Sequence, residues 1–327
     1  MTPRLQVEDL SVRFRTDEGD VHAVSHLYFE VAAGEILALV GESGCGKSMT
    51  AMATLGLIPP GGRRTGSIRL SGREIAGLSN RELQKIRGKE LSMIFQEPMT
   101  SLNPAFTIGF QLSEVLRRHE GLSRSAARAK AVELLDLVHI PAPDRRMGEY
   151  PHQLSGGMRQ RVMIAIAVAC NPQVLIADEP TTALDVTIQA QILDILRDLR
   201  AQLGTSVVII THDLGVVADL ADQVVVMYAG HKIESGPTEA LFAAPQHPYT
   251  LGLLGAVPRP DLVATGRDQR LREIPGIVPI MRAAPTECVF APRCARADET
   301  CHAGMPPLTA ADGHAVACFH PGEVIPA

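Results

Sequence analysis

The chain has no tryptophan, and aromatic residues make up only 4% of its 327 positions. A core with so few large rings must be filled by aliphatic side chains. The apolar share of 46% supplies enough of them and excludes global disorder. Charge is not blocked either: the net value is −5 and no long basic run occurs. No nucleic-acid partner is therefore expected. Long hydrophobic runs are missing too. The longest, "VMIAIAVAC" from Val162 to Cys170, falls well short of the ~20 residues that span a bilayer. The opening "MTPRLQVEDLSVRF" has no apolar stretch of signal-peptide length. If the protein works at a membrane, it is expected to dock there through other chains.

Cysteine is sparse and unevenly placed. Cys45 and Cys170 stand alone, whereas Cys288, Cys294, Cys301 and Cys318 gather at the C-terminal end. Without an export signal the default compartment is reducing, so clustered thiols favour a metal over disulfides.

Short apolar runs alternate with helical patterns. "EILALVG" (Glu35 to Gly41) reads as a buried strand, followed by a loop and the helical "KSMTAMATLGLI". "LSMIF", "VLIAD" and "SVVIITH" read as further buried strands, and "DQVVVMYAG" with "HKIESG" as a closing hairpin. Such alternation predicts an α/β layer fold with a largely parallel central sheet. Before it, "LQVEDLSVRF" and "AVSHLYFEV" alternate apolar and polar residues and predict antiparallel strands. Between Pro98 and Gln153, "FTIGFQLSEVLRRHE" and "SRSAARAKAVELLDLVHI" predict amphipathic helices inserted between two core strands. Beyond about Ala244 prolines multiply and periodicity fades, which predicts a small, loop-rich C-terminal module. The length fits one large domain plus a smaller one, divided here as 1–244 and 245–327, with the helical part at about 98–170.

"GESGCGKS" (Gly41 to Ser48) fits G-x-x-x-x-G-K-[ST] and lies between a predicted strand and a predicted helix. Its glycines let backbone amides wrap phosphates, Lys47 supplies a point charge to the β- and γ-phosphates, and Ser48 offers a hydroxyl to Mg²⁺. The phosphate-binding set is Gly41, Glu42, Ser43, Gly44, Cys45, Gly46, Lys47, Ser48 and Met49. A chance glycine-rich turn would not need this flanking order.

"VLIADEP" puts Asp178 and Glu179 at the end of a buried strand. Adjacent carboxylates beside a core need partners. Asp178 would reach Mg²⁺ through water, and Glu179 would polarise an attacking water. A merely solvated strand end is the alternative. His212 and Gln96 end two other apolar strands. Parallel sheets bind ligands at such carboxyl ends, although a lone polar residue there is as often structural. A second anion-type site opens at "LSGGMRQR", where Ser155, Gly156 and Gly157 precede a long apolar-periodic segment.

The order of these motifs resembles the nucleotide-binding subunit of an ABC transporter over roughly Val7 to Gly236. The resemblance implies a P-loop NTPase core that hydrolyses ATP. Gln96 matches the glutamine that touches Mg²⁺ and reports to membrane subunits. Glu179 matches the catalytic carboxylate, and His212 the histidine that contacts the γ-phosphate. Asp185, in "TTALD", matches a loop that communicates across a dimer. Phe14 lies where an aromatic ring usually stacks on adenine, although core packing explains it as well. Met158 replaces the glutamine of the general signature, as in peptide-importer members. The resemblance also explains the second anion site: two subunits face each other, and the Ser155 segment serves the neighbour's ATP.

With "HPYTLGLLGAVPRPD" and "IPGIVPIMRAAPTECVFAPRC", the tail resembles the C-terminal extension of ATPases from oligopeptide, dipeptide and nickel importers. Cys288-x5-Cys294-x6-Cys301-x16-Cys318 supplies four thiolates, the number that closes a zinc site or holds an iron–sulfur cluster. The resemblance favours a [4Fe–4S] cluster; Zn²⁺ or unligated thiols are the alternatives. The function so implied is energy coupling in an importer at the cytoplasmic face of the membrane. Its expected partners are a second ATPase subunit, identical or paralogous, two permeases and, indirectly, an extracytoplasmic solute-binding protein. Di- or oligopeptides, opines and nickel chelates are the candidate cargoes. A soluble ABC ATPase acting on ribosomes or DNA is disfavoured, because the chain has neither a second cassette nor a long coiled-coil insert. Export is disfavoured because fused membrane spans are missing.

Overall fold

Five-residue apolar runs such as Ile36–Val40 are too short for a helix and buried throughout, which suits strands covered on both faces. In the computed structural model, residues 2–97, 101–182, 185–256 and 274–322 are described. Along the chain the strands are β1 (Leu5–Thr16), β2 (Gly19–Val31), β3 (Ile36–Val40), β4 (Gly62–Leu70), β5 (Arg73–Glu74) and β6 (Leu91–Ile94). They continue with β7 (Val174–Asp178), β8 (Ser206–Thr211), β9 (Gln223–Tyr228), β10 (His231–Pro237), β11 (Thr309–Ala311) and β12 (His314–Val316).

The chain divides into two compact units. The first comprises Met1–Gln6, Glu30–Ile36 and Arg69–Ile210. Its strands β6, β7 and β8 are parallel, with Leu91 opposite Val174 and Val174 opposite Ser206. The expected helical insert is present as Ile108–Glu120 and Arg124–Leu137, opened by Thr107 and Ser123, whose hydroxyls accept from Phe110 N–H and Ala126 N–H. Satisfying such orphan amides fixes where each helix begins. The start of that insert at Pro98 lies outside the described residues.

The second unit comprises Val7–Phe29, Leu37–Ile68 and Thr211–Ala327. Here β2, β1 and β4 are neighbours in that order, and β1 and β2 cover the two segments whose alternation predicts strands. Strand β3 runs parallel to β9, and β9 turns back antiparallel into β10, the expected closing hairpin. The C-terminal module is less loop-like than expected. Its β11 and β12 pair antiparallel, and β12 pairs with β10. Asp312 and Gly313 turn this hairpin with φ of 51° and 78°. Asp-Gly is a strong local hairpin signal, because the turn requires positive φ at both residues. The segment "GAVPRPD", which carried part of the expected tail resemblance, falls mostly at 257–261 and outside the described residues.

Candidate functional site

In the second unit, β3 delivers the chain into the loop of residues 41–46, and a helix starts at Lys47 and runs to Leu55. Gly46 caps this helix with no side-chain acceptor, and its first turn has no acid. The helix dipole favours negative charge at this end. Two glycines are sterically required. A Cβ on Gly41 would come within 2.3 Å of the Met227 carbonyl, and one on Gly46 within 2.4 Å of the Ala23 carbonyl. Lys47 is buried, and its Nζ donates to the carbonyls of Gly41 at 2.6 Å and Glu42 at 3.0 Å. The loop's own backbone therefore satisfies a buried cation. Cys45 is fully buried in the same turn, and burial pushes its thiol pKa up.

Beside Gly44 lies a cavity of about 550 Å³ whose lining includes Thr16, His22, Gly230 and Met281. Phe14 is not among its walls. A Cβ on Gly62 would lie 2.7 Å from the Phe14 ring, so this half-buried aromatic packs against β4. His212 follows β8 and is exposed.

In the first unit, Asp178 ends β7 and is buried, and Glu179 follows it. Glu179 takes a left-handed φ of 45°, a conformation that costs a non-glycine residue roughly 1–2 kcal/mol. Its amide donates to the Ile210 carbonyl at 2.9 Å, which anchors the turn on β8. Two groups then hold its carboxylate: Gln96 Nε2 donates to Oε2 at 2.9 Å, and Thr182 Oγ1 donates to the same oxygen at 2.8 Å. Thr182 carried no signal of its own in the sequence.

The signature segment opens the helix Gly156–Val168, where the Ser155 hydroxyl accepts from Met158 N–H at 3.4 Å. Ser155 and Gly156 are exposed. A Cβ on Gly157 would come within 2.9 Å of the Ile188 side chain, so glycine lets that helix start lie against the next one. The next helix, Val186–Leu203, is capped by Asp185, whose Oδ1 accepts from Ile188 N–H at 2.9 Å. Ala183 and Leu184 of "TTALD" lie outside the described residues.

All four C-terminal cysteines are free thiols within one module. Burial raises the thiol pKa of Cys288 and Cys301 and pushes that of Cys318 to about 11. Among the described residues no three of these sulfurs lie within 4.8 Å of one another; the group that does converge is Asp298, Cys301 and His320. Tetrahedral zinc with bonds of about 2.3 Å needs tighter sulfur spacing than that.

The same module contributes residues to the phosphate loop that no motif marked. Arg293 donates from both Nη atoms to the Glu42 carboxylate, at 2.7 and 3.1 Å. The Tyr249 hydroxyl accepts from Glu42 N–H at 2.8 Å. Phe290 packs edge-on against Tyr228 and Tyr249. The hydrogen bonds Arg293 donates to Glu42, more than any other influence, raise the Arg293 pKa. Nearby, fully buried Glu234 accepts from His314 Nε2 at 2.7 Å and from the amides of Gln246 and His247. These pairs link positions far apart in the chain, so no local pattern could have found them.

Among the described residues no helix is long and apolar enough to cross a membrane. A phosphate loop on a parallel strand, with a carboxylate pair ending another, is the arrangement of a P-loop nucleotide-binding protein. Residues 24–182 match the family described as ABC transporter, and residues 233–301 match the oligopeptide/dipeptide transporter C-terminal region. Over 301 residues the chain is 52% identical to the oligopeptide transport ATP-binding protein OppD of Haemophilus influenzae, covering 92% of each chain. It is 51% identical to OppD of Salmonella typhimurium, covering 98% of this chain and 94% of that one. Among solved structures, the dimeric ATP-binding cassette MJ0796 bound to ADP and Pi superposes with a TM-score of 0.64. That match is 27% identical and covers 72% of this chain and 98% of the other. The chain belongs to the ABC transporter ATP-binding proteins, in the branch that carries the oligopeptide/dipeptide transporter C-terminal region.

Proposed function

We propose that this ABC ATPase is the energy-coupling subunit of an importer for di- or oligopeptides. The observation that carries the reading is the Gln96–Glu179 hydrogen bond of 2.9 Å. It joins the carboxylate suited to polarise water to the glutamine expected to report to membrane subunits. Chain-wide similarity to oligopeptide transport ATP-binding proteins supports peptides as the cargo.

In this reading the amides of residues 43–48 wrap the β- and γ-phosphates, and Lys47 exchanges its loop carbonyls for phosphate oxygens. Glu179 orients and polarises the water that attacks the γ-phosphorus, while Gln96 and Thr182 hold the carboxylate in place. His212 contacts the γ-phosphate. Ser48, Gln96 and Asp178 are all oxygen donors, a set that suits Mg²⁺. When bound, that ion neutralises charge on the β- and γ-phosphate oxygens. Ser155, Gly156, Gly157 and Asp185 serve the nucleotide of a facing cassette, identical or paralogous. Two permeases anchor the pair at the cytoplasmic face, and a solute-binding protein delivers the cargo outside.

The ATPase domain is assigned to 1–244, with its helical part at about 98–170, and the extension to 245–327. Within the extension, Cys288, Cys294, Cys301 and Cys318 would hold a [4Fe–4S] cluster. The resemblance of the tail to peptide-importer ATPases supports the cluster; Zn²⁺ or unligated thiols are the alternatives.

Lys47→Ala tests the core of the reading. Removing the loop's cation should abolish hydrolysis in the assembled transporter and greatly weaken nucleotide binding. Near-normal turnover would remove the phosphate-loop assignment, and failure to co-purify with two polytopic membrane proteins would remove the importer.

A further inference from the structure

Glu42 sits inside the phosphate loop but is held from outside it. Its carboxylate receives the two-pronged Arg293 fork, and its amide donates to the Tyr249 hydroxyl. Arg293 is 251 positions away, its side chain only 5% exposed. Its remaining donors are also committed. Nε donates to the Pro275 carbonyl at 2.7 Å, Nη2 to the Ile274 carbonyl at 3.0 Å, and Nη1 also to the Tyr228 hydroxyl at 3.5 Å. With every donor engaged, Arg293 has none left for a ligand; what it can do is fix residue 42.

We propose that Arg293, seconded by Tyr249, is a positioning residue for the phosphate loop, so that the C-terminal module sets nucleotide affinity. The inference rests on the phosphate-loop reading given above.

Two physical effects support it. Gly41, Gly44 and Gly46 all have positive φ, and glycine-rich backbone loses the most entropy when it is ordered. A loop pinned at residue 42 has already lost part of that freedom before the nucleotide arrives, which leaves a smaller cost at binding. The second effect is electrostatic. An unpaired Glu42 carboxylate beside an anion site would repel phosphates; a buried bidentate guanidinium neutralises it. A restraint alone and a restraint plus neutralisation differ in one respect. Under the second, removing the Glu42 charge should repair part of the damage done by losing Arg293.

The experiment uses the full chain for Mg²⁺–ATP binding by calorimetry and the assembled transporter for hydrolysis. Arg293→Met should raise Kd and KM roughly tenfold while kcat stays within about twofold, because the variant disturbs binding rather than the reacting atoms. Arg293→Lys should fall between, since an ammonium cannot make the fork. The double variant Arg293→Met, Glu42→Gln should bind tighter than Arg293→Met alone. Lys47→Ala is the control that separates the two readings. If it binds ATP like wild type, the phosphate-loop assignment itself fails. If it loses binding while Arg293→Met stays within about twofold of wild type, the positioning role is overturned. Should Arg293→Met not fold, Tyr249→Phe removes only the oxygen that receives Glu42 N–H, and an unchanged Kd there overturns the role as well.

Discussion

Gln96 and Glu179, which lie just past the ends of neighbouring parallel strands, are joined by a 2.9 Å bond from an amide nitrogen to a carboxylate oxygen. The same oxygen also accepts from Thr182. The proposed base is thus fixed by two donors before any water is placed.

Replacing that carboxylate isolates its role. Glu179→Gln keeps the side chain's shape but removes the charge that polarises water. Hydrolysis should fall by at least about a hundredfold while ATP still binds. Because nucleotide would then persist between facing cassettes, the closed pair should be stabilised by linkage. Light scattering after size exclusion, with and without Mg²⁺–ATP, measures the pairing. Wild-type turnover in this variant would refute the assignment.

The exposed helix start at Ser155 gives a separate prediction. Adding Ser155→Arg to Glu179→Gln should abolish ATP-dependent pairing, because a bulky side chain would obstruct the neighbour's γ-phosphate. The chain's own ATP affinity should be unchanged. If the partner is a paralogue, it must be present, and only the composite site containing the mutation should respond. Pairing that survives would mean this helix start does not serve a facing nucleotide.

His247 predicts an acid-sensitive step. Its ring is buried, Nδ1 accepts from Tyr249 N–H at 3.0 Å, and desolvation lowers its pKa to about 3. The unfolded chain therefore binds a proton below its ordinary pKa of about 6.5 that the folded chain refuses. Stability from this group is full above that value and falls as pH drops toward 3, by about tenfold in the folding constant per pH unit. Denaturant melts across this range should show the slope, and His247→Asn, which keeps a cap acceptor, should flatten it. An unchanged slope would place the acid sensitivity elsewhere.

The cysteines make the remaining prediction. Protein purified without oxygen should be brown, with a broad band near ~400 nm from sulfur-to-iron charge transfer. Cys294→Ser should bleach it and leave the ATPase core folded by circular dichroism. Stoichiometric zinc without iron would assign the thiols to a structural zinc site instead.

The chain order of short buried strands, the phosphate loop and the carboxylate pair was legible because each is a local pattern. So were the helical insert and the β9–β10 hairpin. The β11–β12 hairpin was also within reach, since Asp312-Gly313 carries its turn signal, but strands of three residues leave too little alternation to notice. Thr182 was overlooked because a hydroxyl three residues past a carboxylate has no pattern of its own. Arg293, Tyr249 and Glu234 lie beyond any window, because their partners are set by tertiary folding rather than spacing. Phe14, at the position where the resemblance expects an aromatic ring to stack on adenine, also lies against Gly62, a neighbour no local pattern marks.

Glu234 bears on how the protein is made. Strand β10 leaves the ribosome with a carboxylate destined for complete burial, and the imidazole that pairs with it lies 80 residues downstream. Until His314 is synthesised, that buried carboxyl lacks one of the three donors named above, and a buried acceptor short of its partners is costly. A chain cut before His314 therefore leaves Glu234 with the Gln246 and His247 amides and leaves β10 without β12 beside it, even with every nucleotide motif already translated.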